Sequence, residues 1–193
     1  ETIRLERMIR ELLNISRFQA SDELTTGIEP LPLAEIVRNV TEKLMVKSVK
    51  RHVTLVIHAD ENIAVVGNGD QLVQLIMILG DNALKYSPDN GTISFTAVRQ
   101  EDGSVLLSVA DRRLPASAGR IFKGIPGEDL PYIWERFYKV DKSHCRNVPG
   151  TGLGLAIAKE IIRVHGAKAQ VFSIPGVGTR FEVTFPKEKV VLC

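Results

Sequence analysis

Apolar residues recur every three or four positions at the start of the chain. Leu5, Met8, Ile9, Leu12, Ile15 and Phe18 form one stripe over Ile3–Phe18, with Arg and Glu between them. That stripe predicts an amphipathic helix needing a partner surface. Ala20–Pro32, built of Ser, Asp, Thr, Gly and Pro, reads as a linker. The first helix is therefore an appendage, set apart from the rest of the chain. A second amphipathic helix is predicted from Leu33 to about Lys50, then short strands over Val53–Ile57 and Ile63–Val66. Asp70 suits the N-cap of a helix that runs to Tyr86 and stops before Ser87-Pro88. Its stripe of Leu72, Leu75, Ile76, Leu79 and Ala83 should face a sheet.

The second half alternates differently. Asp89-Asn90-Gly91 is turn chemistry before a strand over Thr92–Val98, and Asp102-Gly103 turns the chain into a strand over Val105–Ala110. Asp111–Pro149 is loop-rich, with a short helix near Asp129–Trp134. A glycine-opened helix covers Ala156–Val164 and ends at His165-Gly166. Strands Lys168–Ile174 and Thr179–Phe185, joined by Pro175-Gly176, complete the chain. About three helices and five or more strands in mixed order predict an α/β fold, a two-layer sandwich.

Composition narrows the class. At 44% hydrophobic and 25% charged residues the chain is an ordinary globular one. A net charge of +2 implies no general polyanion surface, so no nucleic-acid partner is expected. No apolar run is long enough to span a bilayer, and membrane contact by this stretch is not expected. Cys145 and Cys193 lack metal-ligand spacing, which favours a reduced cytoplasmic setting. The four histidines (His52, His58, His144, His165) show no pairing pattern, and His165 reads as a helix C-terminal residue whose cation suits the dipole.

Three features carry candidate chemistry. Gly150-Thr151-Gly152-Leu153-Gly154-Leu155 stands directly before a helix. Backbone N–H groups there can cradle a phosphate, although a flexible loop and a tight helix start explain glycine equally well. Asn82, Lys85 and Tyr86 lie three or four residues apart on one helix face, offering a neutral oxygen ligand, a cation and an aromatic ring. The plainer reading is a solvated face with a Lys paired to Asp81. Asp111 at a strand end could accept from an exocyclic amine, or simply start a turn. Trp134, Phe137 and Tyr138 read as packing residues.

Together these residues resemble a known family. Asn82-Ala83-Leu84-Lys85-Tyr86-Ser87-Pro88 resembles the asparagine box of sensor histidine kinases. Gly124-Ile125-Pro126 is similar to the end of their first glycine box, and Trp134-Glu135-Arg136-Phe137-Tyr138-Lys139-Val140-Asp141 to their phenylalanine box. The segment from Gly150 to Lys159 is similar to the second glycine box, and Gly178-Thr179-Arg180-Phe181 to the last. The order and spacing extend over roughly residues 30–186, and Leu12–Arg17 is similar to the second helix of the dimerisation and phosphotransfer hairpin.

The resemblance implies a Bergerat-type ATP-binding sandwich over residues 25–193, preceded in residues 1–24 by part of that hairpin and the start of a linker. It implies ATP and Mg²⁺ as ligands, with Asn82 on the metal, Lys85 on phosphate, Tyr86 stacked on adenine and Asp111 accepting from its 6-amino group. Lys139 matches a basic position that reaches the γ-phosphate, and Asn82, Lys85 and Lys139 are the candidate catalytic set. Gly150, Thr151, Gly152, Leu153, Gly154 and Leu155 would form the base of a lid. Gly124, Ile125 and Thr179 would line the nucleotide pocket. The implied partners are a histidine-bearing dimerisation hairpin and a response regulator, with residues 3–18 offering a homodimer surface. Any membrane anchor would lie outside this stretch.

Three departures stand out. No histidine here is followed by an acidic residue, so the implied phosphoacceptor lies outside this chain. In the first glycine box Asp111 is followed by Arg112-Arg113-Leu114-Pro115, and the matching Gly124 comes about nine residues late. That insert leaves a second reading open, a nucleotide-incompetent module acting through protein interactions. Ile78 stands one turn before Asn82, where hydrolysing relatives need a general base; this disfavours a gyrase-type ATPase.

Overall fold

A computed structural model describes residues 27–112, 124–140 and 150–192, together with positions 9, 13 and 16. Those last three are helical and exposed, and Ile9 is the one stripe residue of the predicted first helix among them. The rest of that helix, with residues 12, 14, 15 and 17 of the hairpin resemblance, the basic insert at 113–123 and residues 141–149 fall outside the described residues.

The described residues form eight strands and three helices in mixed order. They run β1 (Ile28–Pro32), α1 (Leu33–Lys50), β2 (Thr54–Ala59), β3 (Ile63–Asn68), α2 (Gly69–Tyr86), β4 (Thr92–Arg99), β5 (Val105–Arg112), α3 (Gly154–Val164), β6 (Lys168–Ile174), β7 (Gly178–Phe185) and β8 (Val190–Leu192). Five strands make the main sheet in the order β2-β4-β5-β7-β6, and β1-β3-β8 make a smaller antiparallel one. Among the described strands only β2 and β4 pair in parallel, joined by the crossover through β3 and α2. The two-layer α/β sandwich predicted from the sequence is what is found.

Alternation builds the interface between layers. Ile93, Phe95 and Ala97 of β4, Val105, Leu107 and Val109 of β5, and Phe181, Val183 and Phe185 of β7 are buried on one face of the sheet. Leu33, Val37, Val40 and Leu44 of α1 and the predicted stripe of α2 close over them. Gly80 lets α2 approach closely, since a Cβ there would lie 2.5 Å from Leu44 Cδ1 and 3.1 Å from the Phe95 ring.

Several sequence expectations are corrected. β1 lies within the stretch read as a linker. Pro30 and Pro32 mask it, and it tolerates them because it is an edge strand pairing only with β3. β8 is an addition that the sequence pattern does not announce. The N-cap of α2 is Asn68, whose side chain accepts from the Gln71 amide at 3.1 Å; Asp70 falls in the first turn instead. Residues 129–134 are successive turns rather than a helix, held by Tyr132 N–H to Asp129 O and Glu135 N–H to Tyr132 O, each 2.9 Å. Pro131 in their midst has no N–H to give.

His165 also differs from expectation. It is fully buried; its Nδ1 donates to Ile161 O at 2.7 Å and its Nε2 accepts from the Asn68 amide at 3.2 Å. Burial, with Lys189 nearby, lowers its pKa. It is a neutral pin between the end of α3 and the start of α2, not a cation at a helix terminus.

Candidate functional site

The last turn of α2 carries Asn82, Lys85 and Tyr86, and the chain from residues 150–154 meets it. A Cβ on Gly150 would lie 2.6 Å from Lys85 Nζ. The ammonium is thus packed against the glycine segment, and it also stands 4.9 Å from the centre of the half-exposed Tyr86 ring. Asp81 is engaged by Lys47 of α1 at 2.7 Å, so the plainer pairing of a lysine with Asp81 exists but belongs to a different lysine. Sequence reading missed what holds this turn. Arg51, just after α1, donates to the carbonyls of Leu84 and Ser87, the latter at 2.6 Å, and to Asp89 at 3.0 Å. A guanidinium satisfies the orphan carbonyls of a helix end and suits its negative pole.

α3 starts at Gly154 with Leu153 as N-cap, no side-chain cap and no acidic residue in its first turn. Its first backbone N–H groups have no intrahelical acceptor, which is the electrostatic setting for an anion. Leu153 is fully buried, Leu155 packs on the core, and Thr151 Oγ1 accepts from the Leu153 amide at 3.2 Å. A Cβ on Gly154 would touch Ile78 at 3.5 Å, so α2 and α3 meet there through an apolar contact. Gly152, with φ +78, lies so close to Phe137 that a Cβ would be 2.8 Å from the Phe137 Cα, and its carbonyl accepts the Phe137 amide at 2.9 Å. That contact brings the segment with Lys139 beside the glycine segment. Trp134 packs edge-on to Phe181 at 5.9 Å, as a packing residue should.

Asp111 is buried inside β5, paired in register with Thr179 of β7, where the sequence predicts a turn after the strand. Its Oδ1 accepts the Thr179 amide at 2.6 Å. Loss of water raises its pKa to about 6, against the downward pull of that hydrogen bond. The delayed Gly124 returns to this end of the sheet. With φ +52 it lies against the β6–β7 turn, where a Cβ would be 2.8 Å from the Pro175 Cα. The next amide, Ile125 N–H, donates to Ser173 Oγ at 2.7 Å, and that oxygen is 2.8 Å from Thr179 Oγ1. Ser173 is another residue that sequence reading missed.

Two groups of residues are thus brought together: Lys85, Tyr86 and the 150–155 segment at the end of α2, with Asn82 one turn back on that helix, and Asp111, Thr179, Gly124 and Ile125 at the end of the sheet. α2 packs across β5 and joins the two. The family model for histidine kinase-, DNA gyrase B- and HSP90-like ATPases matches residues 67–189. The chain belongs to that ATPase family. Sensor histidine kinase WalK of Bacillus subtilis is 32% identical over 188 residues, 96% of this chain and 29% of that protein. Sensor-like histidine kinase SenX3 of Mycolicibacterium smegmatis is 32% identical over 97% of this chain and 46% of its own length. The chain therefore spans less than half of these curated relatives. Among solved structures, the catalytic domain of histidine kinase ThkA matches with a TM-score of 0.68 at 25% identity, covering 84% of this chain and 97% of that one. Full-length ShkA in complex with AMPPNP shares the fold, with a TM-score of 0.77 at 21% identity, over 94% of this chain and 35% of that one. The relatives and neighbours named here are histidine kinases.

No helix among the described residues is long and apolar enough to cross a membrane.

Proposed function

We propose that this ATPase-family domain binds Mg-ATP and transfers its γ-phosphoryl group to a histidine outside the described chain. The observation that carries the reading is the Lys85 ammonium seated against Gly150, beside a helix that begins without a side-chain cap or an acidic residue. A cation and helix-start N–H groups without an intrahelical acceptor converge there as a polyphosphate requires. Lys85 and the amides of the 150–155 segment (Gly150, Thr151, Gly152, Leu153, Gly154, Leu155) hold the phosphates, with Lys139 reaching the terminal one. Tyr86 stacks on the base, Asp111 accepts from its exocyclic amine, and Thr179, Gly124 and Ile125 line the pocket. Seating of Gly124 and Ile125 at the Asp111 end weighs against a site dismantled by the insert.

Among the described residues no cluster of three His, Cys, Asp or Glu could hold a metal ion. An amide oxygen is a donor that suits Mg²⁺ arriving on the phosphates, so the Asn82 side chain would be its protein ligand. The ion when bound neutralises phosphate charge. The chain's own part is positioning: the nucleophile is an imidazole nitrogen, the bond from the γ-phosphorus to its bridging oxygen breaks, and ADP leaves. Ile78 offers no base for water, so transfer is favoured over hydrolysis. The histidine comes from a dimerisation hairpin, and a response regulator receives the phosphoryl group next.

Calorimetric titration with Mg²⁺ and a non-hydrolysable ATP analogue tests the reading. The parent chain should bind and Lys85→Ala should bind at least about tenfold more weakly, as loss of a charged phosphate contact entails. Absence of binding by the parent, or an unchanged affinity in the variant, would refute it.

A further inference from the structure

The inward-facing residues of the last three strands are apolar until the final row. β5 offers Leu107 and Val109, β7 offers Phe181 and Val183, and β6 offers Val171. At the end of the sheet the same face changes to Asp111, Thr179 and Ser173, which stand directly opposite one another across β5, β7 and β6. Polar groups placed on the face of a core lose water and need partners. Asp111 Oδ1 takes the Thr179 amide, and Ser173 Oγ takes the Ile125 amide. What remains is the contact between two hydroxyls, Ser173 Oγ and Thr179 Oγ1, at 2.8 Å.

We infer that Ser173 is a positioning residue that sets the base selectivity of this pocket by fixing the polarity of Thr179. The inference rests on the nucleotide reading above and adds a residue and a selectivity to it. Each hydroxyl has a single hydrogen. The Ser173 hydrogen has two acceptors in reach, Thr179 Oγ1 at 2.8 Å and the carbonyl of Gly178 at 3.4 Å, and the shorter contact is assigned as its donation. The Thr179 hydrogen is then released toward the pocket. The row presents a carboxylate acceptor beside a hydroxyl donor. Adenine offers the complement on one edge, an amine donor beside a ring-nitrogen acceptor. Guanine offers the reverse, a carbonyl beside a ring N–H. Ser173 also ties the Gly124–Ile125 segment to the β6–β7 turn, where the close approach of Gly124 to Pro175 already seats it.

The test titrates the intact chain, with Mg²⁺ present, against non-hydrolysable ATP and GTP analogues. The parent should prefer the ATP analogue. Ser173→Ala strands the Ile125 amide and frees Thr179 to rotate; its affinity for the ATP analogue should fall about tenfold while that for the GTP analogue does not, so the ratio narrows by the same factor. Ser173→Thr keeps the hydroxyl and should restore the ratio. Ser173→Cys keeps the volume, offers a poor acceptor, and should follow Ala; it serves equally if Ser173→Ala does not fold. A merely structural role would weaken both analogues together, and that result overturns the inference, as does an unchanged ratio or a parent without preference. A parent that binds neither analogue overturns the nucleotide reading itself and the inference with it.

Discussion

Replacing Asp111 by Asn should make the domain more stable at neutral pH and poorer at holding ATP. The carboxyl is buried between β5 and β7, with its pKa raised from 3.8 to about 6. A raised folded value means the native state holds the proton more tightly than the unfolded chain. Its contribution to stability is therefore full below 3.8 and is lost as pH rises through about 6. Two units at about 1.4 kcal/mol each put the cost of the ionised form at about 3 kcal/mol by pH 8, against about 0.5 kcal/mol at pH 4. Asn keeps an oxygen for the Thr179 amide and never ionises. The stability gap between variant and parent should widen by about 2.5 kcal/mol from pH 4 to pH 8, equivalent to several degrees in Tm. Urea denaturation of both proteins at the two pH values measures it. The same variant should bind the ATP analogue more weakly, because a neutral amide accepts less strongly from the exocyclic amine. A gap independent of pH, or a variant less stable than the parent at pH 8, would refute the desolvation argument. On the proposed reading, a charge kept dry at a cost to the fold is a trade of stability for function.

Other perturbations have equally definite outcomes. Arg51→Ala should lower stability by about 1–3 kcal/mol, because the Leu84 and Ser87 carbonyls lose a charged donor; Lys should not rescue it, since a compact ammonium cannot fork between them. A urea midpoint equal to that of the parent would refute this. Gly80→Ala should cost about 1–3 kcal/mol by overpacking against Leu44 and Phe95, with thermal unfolding as the check. His165, neutral in the fold with a lowered pKa, contributes stability that is full above its ordinary 6.5 and lost as pH falls below it. His165→Gln should flatten that acid dependence, and denaturation from pH 7 to pH 5 would detect its persistence.

Much is legible along the chain. The three helices declare themselves by a stripe of period three to four, and the β4–β5 and β6–β7 turns by Asp102-Gly103 and Pro175-Gly176. The asparagine-bearing turn and the glycine segment are recognisable as candidate chemistry because each is a local run whose spacing alone fixes which residues share a face. The weaker predictions are local too: β1 is hidden by prolines that only an edge strand tolerates, and Asn68 competes with Asp70 for one cap.

Tertiary structure decided everything that depends on strand register and helix approach. Thr179 and Asp111 are 68 residues apart, and Ile125 and Ser173 are 48 apart, yet hydrogen bonds gather all four at one end of the sheet. The packing of Lys85 on Gly150 and the burial of His165 beneath Asn68 are of the same kind. Periodicity tells a residue which side of its own element it occupies. It does not say which residue stands opposite, because that is set by the summed burial of the whole core. The sequence alone therefore determined the three helices, the strands of the main sheet, the fold class and the candidate residues. Only the packed sheet and helices determined that Asp111 is dry, that Ser173 stands beside Thr179, and that Lys85 packs on Gly150.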